Sequence, residues 1–229
     1  MKIHGLMKMT LLDFPGKVAC TVFLGGCDFR CPFCHNWELL DPEAPAFMED
    51  TELLRFLDTR HGLLDGVVFT GGEPLLRREL PDLIRSIRGM GFQVKLDTNG
   101  NHPDRLIELV EEGLVDYVAM DIKNCRERYG ETIGIPNFNV SKINQSVEYL
   151  LGGKVDYEFR TTVVSQFHDE ESMKKIGEWI HGADRYFLQG FVSRETVPDK
   201  ELKACSKEQM KAFLDIVSPC VKEAALRGI

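Results

Sequence analysis

Short β-branched runs alternate along the chain with longer stretches in which apolar residues recur at three- and four-residue spacing. The runs Val18–Phe23, Gly66–Thr70, Gln93–Asp97, Tyr117–Asp121, Tyr157–Val164 and Tyr186–Gln189 predict strands. Amphipathic stretches near 50–60, 77–89, 103–112, 140–151, 169–181 and 206–226 predict helices. Asp50 or Thr51 suits the first N-cap, Pro103 the first turn of the third helix, and Ser141 or Asn139 the opening of the fourth. Strands alternating with helices imply an α/β fold with parallel strands and right-handed crossovers. Six such units are too few for a closed eight-unit barrel, so an open, partial (β/α)6 TIM-like barrel is expected. Periodicity alone leaves a flat doubly wound sheet as the alternative. No repeat, low-complexity segment or linker interrupts the pattern; Asp41–Pro45 and Arg194–Lys200 read as loops, and 1–229 as a single domain.

Composition narrows the possibilities. With 43% hydrophobic residues the chain can bury a core, and its net charge of −8 argues against a nucleic-acid partner. The opening residues carry no signal-peptide pattern, and no stretch approaches the roughly 18–20 apolar residues of a membrane span. A cytoplasmic setting is therefore expected. There a framework of disulfides among the seven cysteines is not expected. Four of them (Cys20, Cys125, Cys205, Cys220) are scattered, whereas Cys27, Cys31 and Cys34 fall together.

The segment Gly25-Gly26-Cys27-Asp28-Phe29-Arg30-Cys31-Pro32-Phe33-Cys34-His35-Asn36 follows the first predicted strand directly. Thiolates in this Gly-led loop can converge on one inorganic centre. Three ligands on a four-iron cluster leave one iron free for a substrate, and the potential of such a cluster is tuned over a wide range by charge, hydrogen bonds and exposure. Three plainer readings stand beside it. Zinc takes three thiolates plus His35 or water; Cys31-Pro32-Phe33-Cys34-His35 matches a haem-attachment pattern but leaves Cys27 unused; and three core cysteines need no ligand at all.

Later strands end in chemistry-bearing residues. Gly71-Gly72-Glu73 follows Val67–Thr70, as either a turn or a backbone approach to a ligand with a carboxylate beside it. Asp97, followed by Thr98, ends the third strand, where a capping residue is the plain alternative. Asp121 and Lys123 end the fourth on one face, with a surface ion pair as the plain alternative. Arg160 lies within an apolar strand, either neutralising a structural carboxylate or gripping a ligand's carboxylate. All these motifs fall at C-terminal strand ends, the face on which strand–helix barrels carry their chemistry. His4, His61, His102, His168 and His181 show no ligand spacing and read as surface or capping residues. Trp179 reads as core, Trp37 as a shield for the cysteine site, and Cys205 and Cys220 suggest no second cluster.

The C-x3-C-x2-C triad, with Phe33 before its last cysteine, resembles the radical S-adenosylmethionine (SAM) superfamily. The resemblance implies a [4Fe–4S] cluster on Cys27, Cys31 and Cys34, SAM chelating the open iron, and Phe33 near the adenine. It assigns Gly71, Gly72 and Glu73 to the methionine amino group and Arg160 to the cofactor carboxylate. The run Cys31–Asn36 is similar to activases of glycyl-radical enzymes, and Asp13-Phe14-Pro15-Gly16-Lys17 resembles the N-terminal signature of anaerobic ribonucleotide reductase activating proteins. In pyruvate formate-lyase activating enzymes, which the strand ends also resemble, acidic residues hold a monovalent cation. That role falls on Asp97 and Asp121, with Thr98 assisting and Lys123 contacting SAM. Leu188-Gln189-Gly190-Phe191 departs from the activase pattern, which has a Pro-Tyr-His segment there. The family chemistry implies an electron from flavodoxin or ferredoxin, a 5′-deoxyadenosyl radical, and a glycine hydrogen abstracted from a partner, with anaerobic ribonucleoside-triphosphate reductase favoured. Other activases, a small-molecule radical SAM enzyme of the deazaguanine synthase type, and a non-catalytic zinc module are the competing readings.

Overall fold

The computed structural model describes residues 1–229. In chain order the elements are β1 (Lys2–Ile3), β2 (Gly5–Thr10), β3 (Ala19–Leu24), β4 (Met48–Glu49), α1 (Asp50–Asp58), β5 (Gly66–Gly71), α2 (Leu80–Gly89), β6 (Gln93–Thr98), α3 (Pro103–Glu111) and β7 (Tyr117–Asp121). They continue with α4 (Tyr129–Thr132), α5 (Ser141–Leu151), β8 (Asp156–Val163), α6 (Glu170–Trp179), β9 (Arg185–Gly190), α7 (Lys207–Val217) and β10 (Glu223–Arg227). The eight-stranded sheet has the order β10-β9-β8-β7-β6-β5-β3-β2. Every pairing in it is parallel except that of β2 with β3. β2 and β10 remain edges, so the sheet is an open partial barrel, as the alternation of elements predicts. No helix is long and apolar enough to cross a membrane.

Side-chain alternation sorts each strand into two faces. Cys20, Val22 and Leu24 of β3, Val67 and Phe69 of β5, Val94 and Leu96 of β6, and Val118 and Met120 of β7 are buried in the main core beneath the helices. Leu53 and Leu57 of α1, Leu83 and Ile87 of α2, and Leu106 and Leu109 of α3 supply its other half. The opposite face is different. At the strand starts Ala19, Val68 and Tyr117 pack with Phe14 into a small apolar plug. Above and beside it the inner residues are charged: Lys95, Asp97, Asp121, Glu158, Arg160 and Arg227.

Two departures from the sequence pattern have physical causes. The helix expected over 206–226 stops at Val217, because Pro219 cannot continue the backbone ladder. The chain turns, and Glu223–Arg227 joins β9 as an added parallel strand. Its apolar Ala-Ala-Leu run reads equally well as helix, so periodicity could not separate the two. β2 escapes the pattern because it is an edge strand whose Met7 and Met9 stay exposed. The first helix also begins differently: Glu49, rather than Asp50 or Thr51, forms the capping box with Glu52. Asp50 is bonded instead to the terminal amine of Met1 at 2.5 Å.

β10 is held partly by charge. Arg227 donates to both oxygens of buried Glu158, at 2.8 and 2.9 Å, and its guanidinium stacks 3.4 Å from the Phe187 ring centroid. Tyr117 also donates to Glu158 at 3.0 Å. Arg227→Ala removes the only cation paired with this carboxylate, and a buried charge left without its partner is strongly destabilising. We expect a loss of about 2–3 kcal/mol in urea unfolding, discounted because Arg227 is itself partly exposed. An unchanged midpoint would show that β10 is docked by packing alone.

Candidate active site

The cysteine loop is built from the end of β3. Leu24 and Gly26 keep pairing with the chain after β5: Gly72 N donates to Leu24 O at 2.8 Å and Glu73 N to Gly26 O at 2.7 Å. A Cβ on Gly72 would lie 2.0 Å from Gly26 O, and one on Gly71 (φ 118°) 2.5 Å from Leu24 O. Both glycines are therefore required where two backbones meet, in addition to lining the pocket. His4 Nδ1 accepts from Gly25 N at 2.9 Å, and Arg30 N donates to Ile133 O at 3.0 Å, fixing the loop at its start and its middle. Cys27, Cys31 and Cys34 are all free thiols. Burial pushes Cys27 up to about 12 and Cys31 up to about 11, the nearby Lys123 ammonium opposing the latter shift.

Across the pocket lies a wall of charge. Lys95, only 1% exposed, donates to Asp97 Oδ1. Arg160 Nη1 donates to Asp97 Oδ2 at 3.2 Å, and its Nε to Asp121 Oδ1 at 3.1 Å, bridging β6 and β8 across β7. Lys123 Nζ donates to Asp121 Oδ2 at 2.8 Å. Burial alone would raise Asp121, but Lys123 and Arg160 hold it down at about 2, and the same kind of balance lowers Asp97.

The remaining walls depend on residues whose roles were not legible. Glu73 has no exposed surface and does not line the pocket. Its Oε1 accepts from Leu75 N at 3.0 Å and Thr98 Oγ1 at 2.9 Å, and its Oε2 from Asn99 N at 2.7 Å. The carboxylate expected to face a ligand's ammonium thus braces the β5 and β6 ends. Burial pushes Glu73 up to about 7 against those three donors. Asp28, between the first two cysteines, accepts from Asn99 at 2.8 Å, Asn101 at 2.6 Å and His102 at 3.0 Å. His168 is buried: its Nε2 donates to Lys123 O at 2.9 Å while Nδ1 accepts from Val164 N at 3.1 Å. Three histidines read as surface or capping residues (His4, His102, His168) therefore position loops of the site. Each pairs with a residue distant in sequence, so no local signal marks them. Trp37 does not line the pocket; Leu40 from the same turn does. On β9, Gln189 lines the wall where the Pro-Tyr-His segment is missing. His35 stacks on Phe191 at 5.7 Å and contacts Val192 O at 2.7 Å.

One open pocket with about 930 Å³ of free space collects these parts. Cys27, Cys31, Cys34, Phe33, Gly71 and Gly72 line one side. Asp97, Thr98, Asp121, Lys123 and Arg160 line the other. Of the residues that the resemblance assigns to the cluster, SAM or the cation, Glu73 alone stays outside the lining. No three acidic, histidine or cysteine side chains converge on a point that could hold a single ion. His35 Nε2 is engaged at Val192 O, which leaves Nδ1 as its free ring nitrogen.

Residues 21–180 match the sequence model of the Radical SAM superfamily. The chain belongs to that superfamily. A Methanocaldococcus jannaschii protein, named provisionally as a glycyl-radical enzyme activating enzyme, is 29% identical over 99% of this chain and 96% of its own length. The Escherichia coli protein named pyruvate formate-lyase 1-activating enzyme is 27% identical over 78% of this chain and 74% of its own length. A crystallised domain of a Bacteroides vulgatus pyruvate-formate lyase-activating enzyme superposes with a TM-score of 0.58 at 19% identity, covering 71% of this chain and 99% of that domain. Membership in the radical SAM superfamily carries its cofactors, a [4Fe–4S] cluster and SAM. The donor set fits them: three unpaired thiols share one pocket with a cationic wall and are too dispersed for a single ion.

Two outcomes follow for this radical SAM chain. Glu73→Gln sets an amide N–H₂ against backbone or hydroxyl donors, and should cost about 1–3 kcal/mol in urea unfolding. Burial lowers His168 from 6.5 to about 4, so the unfolded chain binds a proton that the folded chain refuses. Stability is full above pH 6.5 and falls as pH drops from there towards 4, by up to about 1.4 kcal/mol per pH unit. Comparing unfolding free energies across this range, His168→Asn should show a shallower slope than the wild type.

Proposed function

We propose that this chain is an activase that places a glycyl radical on a partner enzyme, with anaerobic ribonucleoside-triphosphate reductase as the favoured partner. The observation that carries the reading is the meeting of three free thiols with two carboxylates, Asp97 and Asp121, and two cations, Lys123 and Arg160, in one pocket of an open sheet. Cys27, Cys31 and Cys34 would hold the cluster. Lys123 and Arg160, already oriented by Asp121 and Asp97, would grip the cofactor's carboxylate. Phe33, packed against Phe167 at 6.0 Å, would lie against the adenine, and the Gly71–Gly72 backbone would meet the amino group. When bound, the cluster and SAM would supply one-electron radical chemistry able to take a hydrogen from a glycine Cα. This chain contributes chelation, orientation and exclusion of water, with reduced flavodoxin or ferredoxin as the proposed electron source and the cytoplasm as the setting.

The names of the Methanocaldococcus and Escherichia coli relatives support the activase class. Asp13–Lys17 supports the choice of reductase by likeness alone. Asp13 accepts from Thr21 at 2.6 Å, and Phe14 packs on Tyr117 at a ring distance of 6.2 Å, within the plug at the strand starts. That segment closes the barrel floor and lies far from the mouth where a partner would dock. Residues 1–229 are proposed to act as one radical SAM domain.

The test combines anaerobically reconstituted protein with SAM, reductant and the reductase, read by electron paramagnetic resonance. A glycyl doublet that is lost with Cys31→Ala is the expected result. Release of 5′-deoxyadenosine without a doublet would remove the reductase and leave the radical chemistry. Stoichiometric zinc in place of about four irons and four sulfides would remove both.

A further inference from the structure

A metal cation on Asp97, Thr98 and Asp121 is implied by the resemblance to pyruvate formate-lyase activating enzymes, and the residues present do not fit one. Asp97 accepts from Lys95 on one oxygen and from Arg160 on the other at 3.2 Å. Asp121 accepts from Arg160 at 3.1 Å and Lys123 at 2.8 Å, again on separate oxygens. The Thr98 side chain belongs to the opposite face of β6 from Asp97. Its hydroxyl donates to Glu73 at 2.9 Å and accepts from Gly100 N at 3.1 Å. Three side-chain cations already face two carboxylates, so a further cation would add to an excess of positive charge.

Lys95 is the unusual member of this group. Lysine is almost never fully buried unless paired. Here it stands in the middle of β6, 1% exposed, between the Asp97 carboxylate and the face of Tyr117, whose centroid lies 5.9 Å from Nζ. Without it, Asp97 and Asp121 would be matched only by Arg160 and Lys123, the two cations needed to grip a ligand's carboxylate.

We propose that Lys95 is a built-in counter-ion on Asp97, taking over the charge-balancing role that the resemblance gives to a metal cation, so that this chain binds SAM without potassium or sodium. The proposal rests on the reading of Asp97 and Asp121 as part of the SAM site. A tethered ammonium is always present and brings three donors. A metal ion must be drawn from solution and partly dehydrated first.

The test compares potassium chloride with tetramethylammonium chloride at equal ionic strength. It measures SAM affinity of the reconstituted protein by equilibrium dialysis and thermal unfolding of the cluster-free protein. Wild-type affinity should agree within about twofold between the salts, whereas Lys95→Met should bind about tenfold more weakly in tetramethylammonium and recover in potassium. A wild-type affinity that falls about tenfold without potassium would overturn the proposal, as would a Lys95→Met protein indifferent to the salt. Lys95→Gln, which keeps a polar group in the strand, serves if the methionine variant does not fold. Loss of SAM binding in both salts would count against the site reading itself. The cluster-free wild type then decides: a melting temperature raised by potassium overturns the counter-ion, and an unchanged one supports it.

Discussion

Between β6 and β8, five charged side chains stand where a barrel of this kind would ordinarily hold branched apolar residues. Removing such charges from water costs several kcal/mol each unless they meet partners with good geometry. The arrangement of Lys95, Asp97, Arg160, Asp121 and Lys123 meets that condition in sequence, each carboxylate oxygen taking its own donor. Strand register is what makes this possible: Asp121 lies opposite Arg160, and Asp97 opposite Ala119, whose small side chain lets Arg160 reach across β7. Shifting any of these strands by one residue would send its charges into the apolar layer under the helices. The polar interior thus fixes the register, and the register places the pocket.

Around this wall, the loops that carry the thiols are held by bonds from elsewhere in the chain. Glu73 ties the end of β5 to that of β6, Asp28 ties the cysteine loop to 99–102, and His168 ties 123 to 164. His4 reaches from the first residues to Gly25. None of Glu73, Asp28, His168 and His4 lines the pocket. They set where the cysteines, Lys123 and Arg160 stand, and they do so through buried polar groups that tolerate little change.

The layout of the fold was readable because apolar runs at period two and period three to four are dictated by burial on one face. The cysteine triad and the strand-end residues were readable because their spacing is local. Glu73 shows where local reading stops: its position beside two glycines was plain, but whether its carboxylate faces a ligand or Asn99 depends on residues about 25 positions away. Lys95 shows the same limit from the other side. Inside a β-branched run it resembles a solvent-facing residue of an alternating strand, and only the closing of β8 towards β6 reveals that no solvent is there. β10 was lost to a helix because Ala-Ala-Leu satisfies both periods.

A closed barrel has its radius fixed by strand number and stagger, since the hydrogen-bond ring must meet itself. The sheet here ends at β2 on one side and β10 on the other, and nothing imposes such a closure. Its curvature follows from strand twist and the packing of the helices, and Arg160, reaching from β8 to Asp97 on β6, ties three neighbouring strands together on the inner face. An open sheet can therefore carry a continuous row of charge on its inner face, with each carboxylate oxygen met by a donor from the same strand end or from one or two strands away.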